Sequence, residues 1–402
     1  MKHLRISRNI NLVICLIVVA MLLISCGGAA PTATKAPPAT APVAQPTAAP
    51  TADTSPIKIG WVGANSGTGA MLGEWDTRGI LLVFEKVNAA GGIHGRPLEL
   101  VVYDDEGDPT KAVGLAEKVC TEDKVVAAFA TNLSTPTLAV VPIFAKYKVP
   151  HFTGGIAASI TKQGSSYIFR DTAVGTIYES TIVDYLVKQG YTKYAIIADN
   201  AAYGQGEADA QEAALKAHNL TALTREIFAL EDKDFTGQIT KIMRANPEVL
   251  LCGGQDIMCG LITKQARSLG FEGEIAGPGS LGTAVFIETA GVEAAEGVLY
   301  SAPYISNEQS ALTQQFAKDY QARWNDLAES HGAKAYDGAM LLVTALNAAY
   351  PDLTGERVAA ELHKICGYEG LQGKFCIDAT GEGLSAMNIG VIKNGKLQAV
   401  TQ

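Results

Sequence analysis

The chain has 402 residues, of which 48% are hydrophobic, 7% aromatic and 18% charged. This length exceeds that of one ordinary domain, and the apolar share excludes a wholly disordered protein. The formal net charge is -9 at pH 7. Nucleic acid is therefore not an expected partner, because phosphate binding through a general basic surface needs the opposite excess of charge.

The first residues of the chain have the pattern of an export signal. Three basic residues and no acid precede thirteen consecutive apolar residues, Leu12 to Ile24, a run shorter than the roughly 18 residues of a membrane-spanning helix. The Ser-Cys-Gly that follows resembles the processing site of bacterial lipoproteins, where the cysteine is lipidated and becomes the mature amino terminus. We predict a signal peptide over residues 1–25, lipidation of Cys26, and an exported protein lipid-anchored at the extracytoplasmic face of the cell membrane.

A tether is predicted between the anchor and the folded body. From Gly27 to Ser55 the chain consists almost entirely of Ala, Pro, Thr and Gly. Such a composition buries no apolar surface and extends about 3 Å per residue where it is polyproline-like. Residues 26–55 are therefore expected to hold a soluble body away from the lipid surface.

The remaining cysteines do not form a metal-binding pattern. Beyond the signal and the anchor there are five of them: Cys120, Cys252, Cys259, Cys366 and Cys376. An odd number leaves at least one thiol unpaired, and Cys120, on a predicted helix, is expected to be buried and free. Cys366 and Cys376 either pair across a turn or remain reduced. No Cys-x-x-Cys or His-x-x-x-His spacing occurs, so no metal site is predicted.

From Pro56 onward, short β-branched runs alternate with amphipathic stretches. The predicted strands are residues 57–62, 98–103, 125–130, 193–198, 223–228, 249–252 and 297–300. Helices between them include residues 78–89, which end before Gly91-Gly92, and one that begins near Pro109, since proline suits a first helical turn. Regular alternation predicts an α/β fold with parallel sheets covered on both faces, and residues 56–402 are long enough for two sheets.

The turns after the strands are the predicted site of ligand binding. In open α/β sheets, ligands bind outside the carboxyl ends of the strands, where helix N-termini present free N–H groups. Several turns here are rich in small and hydroxyl residues, namely 64–69, 131–135, 153–155 and 277–280. They would offer backbone donors and hydroxyls to a small anionic or polar group, and none of them requires catalysis.

An enzyme is the less favoured interpretation. Residues 63–69 fit G-x-x-x-G-x-G, which is similar to the nucleotide loop of short-chain dehydrogenases. That family also needs a Tyr followed four residues later by a Lys, and no tyrosine here has one; Tyr185 comes nearest, with Lys188 three residues on. No Gly-x-Ser-x-Gly, His-Glu-x-x-His or Walker motif occurs. The acidic run at 104–106 fits either a solvated turn or a metal or acid–base site.

Taken together, these features resemble the type I periplasmic solute-binding proteins, in the branch that serves branched-chain amino acid importers. The segments that carry the resemblance are 63–67, 88–93, 103–109, 199–206, 233–235, 294–297 and 336–338. The resemblance implies two Rossmann-like lobes with parallel sheets, joined by a three-crossover hinge, with a ligand cleft between them. It places lobe 1 at about 56–172 and 303–377, and lobe 2 at about 173–302 and 378–402.

The function that the resemblance implies is capture and not catalysis. A lipid-anchored binding protein of an ABC importer would take up a small amino acid of the branched-chain type, or a related carboxylate, and deliver it to permease and ATPase subunits. No cofactor is expected, and the protein is expected to be a monomer. Alternatives are a binder of an organic acid or amide without an amino group, a sensory ligand-binding module, and, remotely, the dehydrogenase-like enzyme.

The resemblance also implies which residues contact the solute. The carboxylate-binding hydroxyl of the family falls at Thr131, with Asn132 and Ser134 nearby, and the next strand-end loop falls on Gly154, Gly155 and Ile156. On the second lobe the family's tyrosine is kept as Tyr203, and its next aromatic position is Gln255. Trp75 and Tyr178, on predicted turns, are expected either to form an aromatic wall of the cleft or to pack at a helix start.

The amino-group half of the family site is altered in this sequence. The acid that follows Gly-Pro in the family is Gly279 here, with Ser280 beside it, and neither neutralises an ammonium group. A buried ammonium without an anion costs several kcal/mol. Asp256 is either a substitute acid or the N-cap of a predicted helix. We therefore expect the cleft to retain the carboxylate half of the site and to have lost the amino half.

Overall fold

The computed structural model describes residues 53–67, 69–305 and 310–400. The predicted signal peptide, the lipidation site at Cys26 and nearly all of the tether lie outside these residues. Over the described ranges, no helix combines the length and apolarity needed to cross a membrane.

The first sheet has five strands in the order β2-β1-β3-β4-β5, and every neighbouring pair is parallel. The strands are β1 (Ile57–Gly63), β2 (Leu98–Asp104), β3 (Ala127–Ala130), β4 (His151–Thr153) and β5 (Ile168–Arg170). The helices between these strands are α1 (Ala70–Ala89), α2 (Pro109–Lys118) and α3 (Ser134–Tyr147).

The second sheet has seven strands in the order β14-β13-β10-β9-β8-β6-β7. Five of them form its parallel part: β6 (Tyr194–Asp199), β7 (Thr224–Phe228), β8 (Val249–Gly253), β9 (Glu274–Gly277) and β10 (Leu299–Ala302). Two antiparallel strands complete one edge, β13 (Asn388–Lys393) and β14 (Lys396–Ala399). Its helices are α4 (Gly175–Lys188), α5 (Ala202–Ala217), α6 (Thr236–Arg244), α7 (Asp256–Ser268), α8 (Ala284–Ala290) and α9 (Val292–Ala295).

The segment after β10 returns to the first sheet. It contains α10 (Ala311–Trp324), α11 (Ser330–Ala349), α12 (Gly355–Leu362) and a hairpin of β11 (Cys366–Gly370) and β12 (Gly373–Cys376). Helix α11 packs along α1, and a Cβ atom on Gly79 would lie only 2.2 Å from the carbonyl oxygen of Gly332. Glycine at this crossing lets the two helices approach closely. The chain then rejoins the second sheet at β13.

All seven predicted strands are present, with ends within two residues of the predicted bounds. Helix α2 begins at Pro109 as predicted, and the carboxylate of Asp108 accepts hydrogen bonds from the N–H groups of Thr110 and Lys111. Helix α1 begins at Ala70, eight residues earlier than predicted, because Gly69 in the left-handed region starts the helix directly after the glycine-rich turn. The other seven strands in the described ranges were missed. Strands β4 and β5 have only three residues, too few to show a period-two pattern. Strand β9, the hairpin strands β11 and β12 and the antiparallel strands β13 and β14 were also not predicted.

Two disulfides are present among the described cysteines. Cys366 pairs with Cys376 across the β11–β12 hairpin, one of the two possibilities for these residues, and Cys252 pairs with Cys259, which the sequence did not predict. Cys120 is free and half-buried, and burial raises the pKa of its thiol to about 12.

Candidate functional site

A cleft of about 680 Å³, including the solvent at its mouth, lies where residues from both sheets converge. Ten of the twelve residues expected to contact the solute line it: Asn132, Ser134, Gly154, Gly155, Ile156, Tyr178, Tyr203, Gln255, Gly279 and Ser280. Thr131 and Trp75 do not line it. Nine lining residues were not predicted to bind solute: Leu72, Leu133, Thr172, Ala302, Pro303, Ser330, His331, Lys334 and Gln372. Asp256, predicted to be either a substitute acid or the N-cap of a helix, also lines the cleft.

The first-sheet wall of the cleft is built at the ends of β3 and β4. The amide oxygen of Asn132 accepts a hydrogen bond from Ala64 N at 3.0 Å, whereas its Nδ2 is buried with no hydrogen-bond partner among the described residues. Ser134 is the first residue of α3, and its Oγ accepts a hydrogen bond from Ala157 N at 3.3 Å. Helix α3 has no side-chain cap. This wall therefore offers amide, hydroxyl and helix N-terminal donors suited to an anionic group.

Thr131 differs from the prediction. Its side chain is buried, and its hydroxyl donates to the carbonyl oxygen of Leu133 at 2.9 Å and lies 3.0 Å from the hydroxyl of Thr137. The hydroxyl of Thr153 donates to the carbonyl oxygen of Thr131 at 2.9 Å. These threonines join the ends of β3 and β4 behind the cleft. The turn that contains Thr131 borders the cleft, but the side chain of Thr131 does not line it.

The second-sheet wall contains a chain of hydroxyl groups. Tyr203, in the first turn of α5, donates its phenolic hydrogen to Ser280 Oγ at 3.1 Å, and Ser280 donates to the carbonyl oxygen of Gly254 at 2.8 Å. Burial raises the pKa of Tyr203 well above its usual range, so the phenol is neutral. A Cβ atom on Gly279 would lie 3.4 Å from the ring of Tyr178. The ring of Tyr178 therefore packs beside Gly279, next to the hydroxyl chain.

Tyr178 and Trp75 lie within helices and not on the predicted turns. Of the two alternatives, a cleft wall describes Tyr178 and packing near a helix start describes Trp75. Tyr178 is in the first turns of α4, lines the cleft, and its hydroxyl is hydrogen-bonded to the hydroxyl of Thr172 at 2.8 Å. Trp75 is buried inside α1, where it stacks on His331 with ring centroids 5.9 Å apart. His331 itself lines the cleft, so Trp75 supports the wall from behind.

Two formally charged side chains line the cleft among the described residues. Lys334, from α11, has a side chain only 6% exposed, and its Nζ lies 3.4 Å from Asp76 Oδ1. Burial raises the pKa of Asp76 to about 7, with Lys334 acting in the opposite direction. The sequence did contain a signal for a buried lysine, because Lys334 lies between alanines on a helix whose other residues are mainly apolar. Its place in the cleft depends on packing of α11 against α1.

The second charged residue is Asp256. It is the first residue of α7, and Gln255 occupies the N-cap position without a side-chain hydrogen bond. The carboxylate accepts hydrogen bonds from Ile257 N at 2.8 Å and from the hydroxyl of Thr283 at 3.4 Å. Burial raises its pKa. Asp256 is thus the acid on the second-sheet wall, whereas Gly279, the residue predicted to correspond to the family's acid, carries no side chain.

The acidic run after β2 is part of a turn. The carboxylate of Asp104 accepts hydrogen bonds from the N–H groups of Asn65, Ser66 and Glu106, and that of Asp105 accepts from Gly107 N. Asp105 is buried, so the turn is less solvated than predicted. No group of acidic, histidine or cysteine side chains in the described ranges has the arrangement of a metal site.

Comparison with known proteins identifies the family to which the chain belongs. A family model described as periplasmic binding protein matches residues 56–396. The chain belongs to the periplasmic binding protein family. Its relatives are binding proteins, so this chain is a solute-binding protein and not an enzyme, and the dehydrogenase alternative is withdrawn. Proteins of this family are exported.

Individual relatives agree with this assignment. The chain is 31% identical over 240 residues to an amino acid binding protein of Pseudomonas aeruginosa, covering 58% of this chain and 63% of that protein, slightly less than two thirds of its length. It is 28% identical over 308 residues to the leucine-, isoleucine-, valine-, threonine-, and alanine-binding protein of the same organism, covering 76% of this chain and 82% of the relative.

A solved structure confirms the predicted fold class. The branched-chain amino acid transporter substrate binding protein of Streptococcus pneumoniae, in complex with isoleucine, superposes with a TM-score of 0.78 at 26% identity, covering 86% of this chain and 99% of that one. The contacts between individual residues of this chain and a solute stay a prediction.

Proposed function

We propose that this protein is the extracytoplasmic solute-binding lipoprotein of an ABC importer. It captures a small amino acid of the branched-chain type, or a related carboxylate, and delivers it to permease and ATPase subunits. The observation that carries the proposal is a cleft lined from both sheets, with hydrogen-bond donors at the strand ends that suit an anionic group. The amino acids bound by the Pseudomonas aeruginosa relative and by the Streptococcus pneumoniae protein support the same class of solute.

The division of the chain between two lobes is also part of the proposal. Lobe 1 comprises about residues 56–172 and 303–377, and lobe 2 about 173–302 and 378–402, acting as a monomer. A solute that contacts both lobes stabilises the closed form through its differential affinity. Shifting the ratio of closed to open protein from about 1:99 to 99:1 requires a difference of about 5.5 kcal/mol in the solute's affinity for the two forms. A micromolar ligand has a binding free energy of roughly 8 kcal/mol, which is sufficient.

The lining of the cleft suits a branched apolar side chain. Leu72, Leu133 and Ile156 contribute aliphatic surface from the first-sheet side, and the rings of Tyr178 and Tyr203 contribute aromatic surface. We assign the carboxylate of the solute to the wall that contains Asn132 and Ser134. An ammonium group, where the solute has one, faces Asp256, since the position of the family's acid is Gly279 here.

Binding is tested with the purified full-length protein. Mass spectrometry identifies any small molecule that co-purifies, and thermal-shift titration compares leucine, isoleucine and valine with 4-methylpentanoate, which lacks the amino group. We expect at least one of these compounds to raise the melting temperature, and Tyr203→Ala to abolish the rise. Tyr147→Ala, on the far end of α3, is the matched control. If nothing co-purifies and no compound shifts the melting temperature, the proposed function is wrong.

Lipid anchoring is tested separately from solute binding. We expect the protein to fractionate with membranes and to incorporate labelled palmitate. Cys26→Ala should remove the label and release the protein from the membrane fraction, while solute binding by the released protein is unchanged. Retention of the label in the Cys26→Ala variant would contradict lipidation at this residue.

A further inference from the structure

Lys334 is a buried basic residue in the wall of the cleft. Its side chain is 6% exposed, and its Nζ atom has no hydrogen-bond partner among the described residues. The nearest acid is Asp76, whose Oδ1 lies 3.4 Å away. An ammonium group has three donors, so this single long ion pair leaves most of its hydrogen-bonding capacity unused.

The position of the ammonium group is defined by Gly154. A Cβ atom at residue 154 would lie 2.1 Å from Lys334 Nζ and 3.0 Å from Cε, and 3.8 Å from the Cα of Asn132. The ammonium group therefore lies directly over the turn that follows β4, next to the turn that follows β3. This is the wall that the proposed function assigns to the carboxylate of the solute.

Two buried acids, Asp76 and Asp171, interact with the charge of Lys334. Burial raises the pKa of Asp76 to about 7 and that of Asp171 to about 6, and Lys334 lowers both. Burial and the charge of Lys334 together lower the pKa of His331, so this ring is neutral. A buried charge that lacks hydrogen-bonded partners is costly. An anionic ligand in the cleft would supply the missing acceptors.

We propose that Lys334 binds the anionic group of the solute, so that the cleft accepts small molecules with a free carboxylate and rejects their amides. The inference rests on the proposed function and names the group that the solute must carry. Charge-assisted hydrogen bonds are stronger than those of neutral donors. A lysine on α11 thus supplements the hydroxyl and N–H donors at the strand ends.

The test compares matched solutes by calorimetry and thermal shift. Leucine carries both charged groups, 4-methylpentanoate carries only the carboxylate, and leucinamide carries only the ammonium. The full-length protein should bind leucine, 4-methylpentanoate or both. Its affinity for leucinamide should be at least roughly tenfold lower than for the better of these two compounds. Lys334→Met should weaken carboxylate binding roughly 10- to 100-fold. Lys318→Met, which removes an exposed charge from α10, should leave binding unchanged.

Asp76 provides a second variant that separates binding from folding. Lys334→Met leaves Asp76 buried alone, and the double variant Asp76→Asn/Lys334→Met removes both charges, so it should fold and bind carboxylates as weakly as the single variant. Asp76→Asn alone frees the ammonium group and should preserve or tighten carboxylate binding. A merely structural ion pair would instead make Asp76→Asn and Lys334→Met equally harmful.

The possible failures are distinguishable. If the unmodified protein binds leucine or 4-methylpentanoate, and Lys334→Met binds it with the same affinity, the inference is overturned and the proposed function stands. Equal affinity of the unmodified protein for leucine and leucinamide would also overturn it. If none of the compounds binds to the unmodified protein, the proposed function and the inference both fail.

Discussion

Under the proposed function, Asp256 is the residue that would hold an amino group of the solute. Its carboxylate is buried and lines the cleft, whereas Gly279 and Ser280 provide no anion. We expect Asp256→Asn to weaken leucine binding roughly 10- to 100-fold, because an ammonium group would lose its charged partner. Binding of 4-methylpentanoate should be unchanged or improved. Calorimetry on both compounds is the measurement, and an equal loss for both would mean that Asp256 only shapes the start of α7.

We expect two buried carboxyl groups, Glu179 and Glu207, to make the stability of the protein depend on pH. Burial raises the pKa of Glu207 to about 7 and that of Glu179 well above its usual range, and the charge of Glu207 raises the pKa of Glu179 further. The folded protein thus holds protons that the unfolded chain releases near pH 4.5. The free energy of unfolding should therefore fall as the pH rises from about 4.5 through 7.

The variant Glu179→Gln tests this dependence. The amide mimics the protonated carboxyl group, so denaturant unfolding should show a gain on the order of 2 kcal/mol at pH 8 and little change at pH 5. The exposed Glu231→Gln is the control for loss of one acid. A gain of equal size at both pH values would assign the effect to packing.

At the level of single residues, sequence reasoning located the turns better than the side chains. Glycine and hydroxyl residues after β3, β4 and β9 were recognisable, because the ends of parallel strands form ligand sites. The outward or inward direction of Thr131 depends on Thr137 and Thr153, which lie on other elements. Lys334 enters the cleft from α11, which lies far along the chain from the turns after β3 and β4. No local sequence pattern predicts that this helix packs beside those turns.

At the level of elements, a disulfide holds the loop between β8 and α7. Cys252 on β8 and Cys259 on α7 are both fully buried and are joined by a disulfide. Their bond closes a loop that contains Gln255 and Asp256. We expect Cys252→Ala/Cys259→Ala to lose about 2 kcal/mol of unfolding free energy and to bind solute more weakly. The control Cys366→Ala/Cys376→Ala opens the exposed hairpin, and its stability should fall while affinity is retained. Unchanged affinity in the first variant would show that the loop is held by other contacts.

The elements that the sequence predicted correctly are those with a long local signal. Strand β6 is buried over its whole length, and its run of apolar residues is visible without tertiary information. Strand β4 has three residues and becomes a strand only because β3 and β5 pair with it on both sides. The predicted helix omitted the first eight residues of α1, which include Gly73. A Cβ atom on Gly73 would lie 1.9 Å from the carbonyl oxygen of Ala64.

For the whole molecule, the proposed movement of the lobes requires a surface where they meet when closed. In the structure α5 approaches the first-sheet half: Ala202 N donates to the hydroxyl of Thr135 at 3.4 Å, and a Cβ atom on Gly206 would lie 3.4 Å from the Cβ of Ala157. A large side chain at residue 206 cannot occupy this contact. It can be accommodated only if the two halves separate.

Gly206→Trp should therefore hold the protein open. We expect solute affinity to fall by at least roughly tenfold, because part of the binding free energy is consumed by the unfavourable closing equilibrium. Small-angle scattering should show solute-induced compaction of the unmodified protein and its loss in the variant. Gly237→Trp, at an exposed site on α6 with open space around it, is the matched control and should compact normally. Normal compaction and affinity in Gly206→Trp would mean that α5 does not take part in closure, since the added ring then meets no opposing surface.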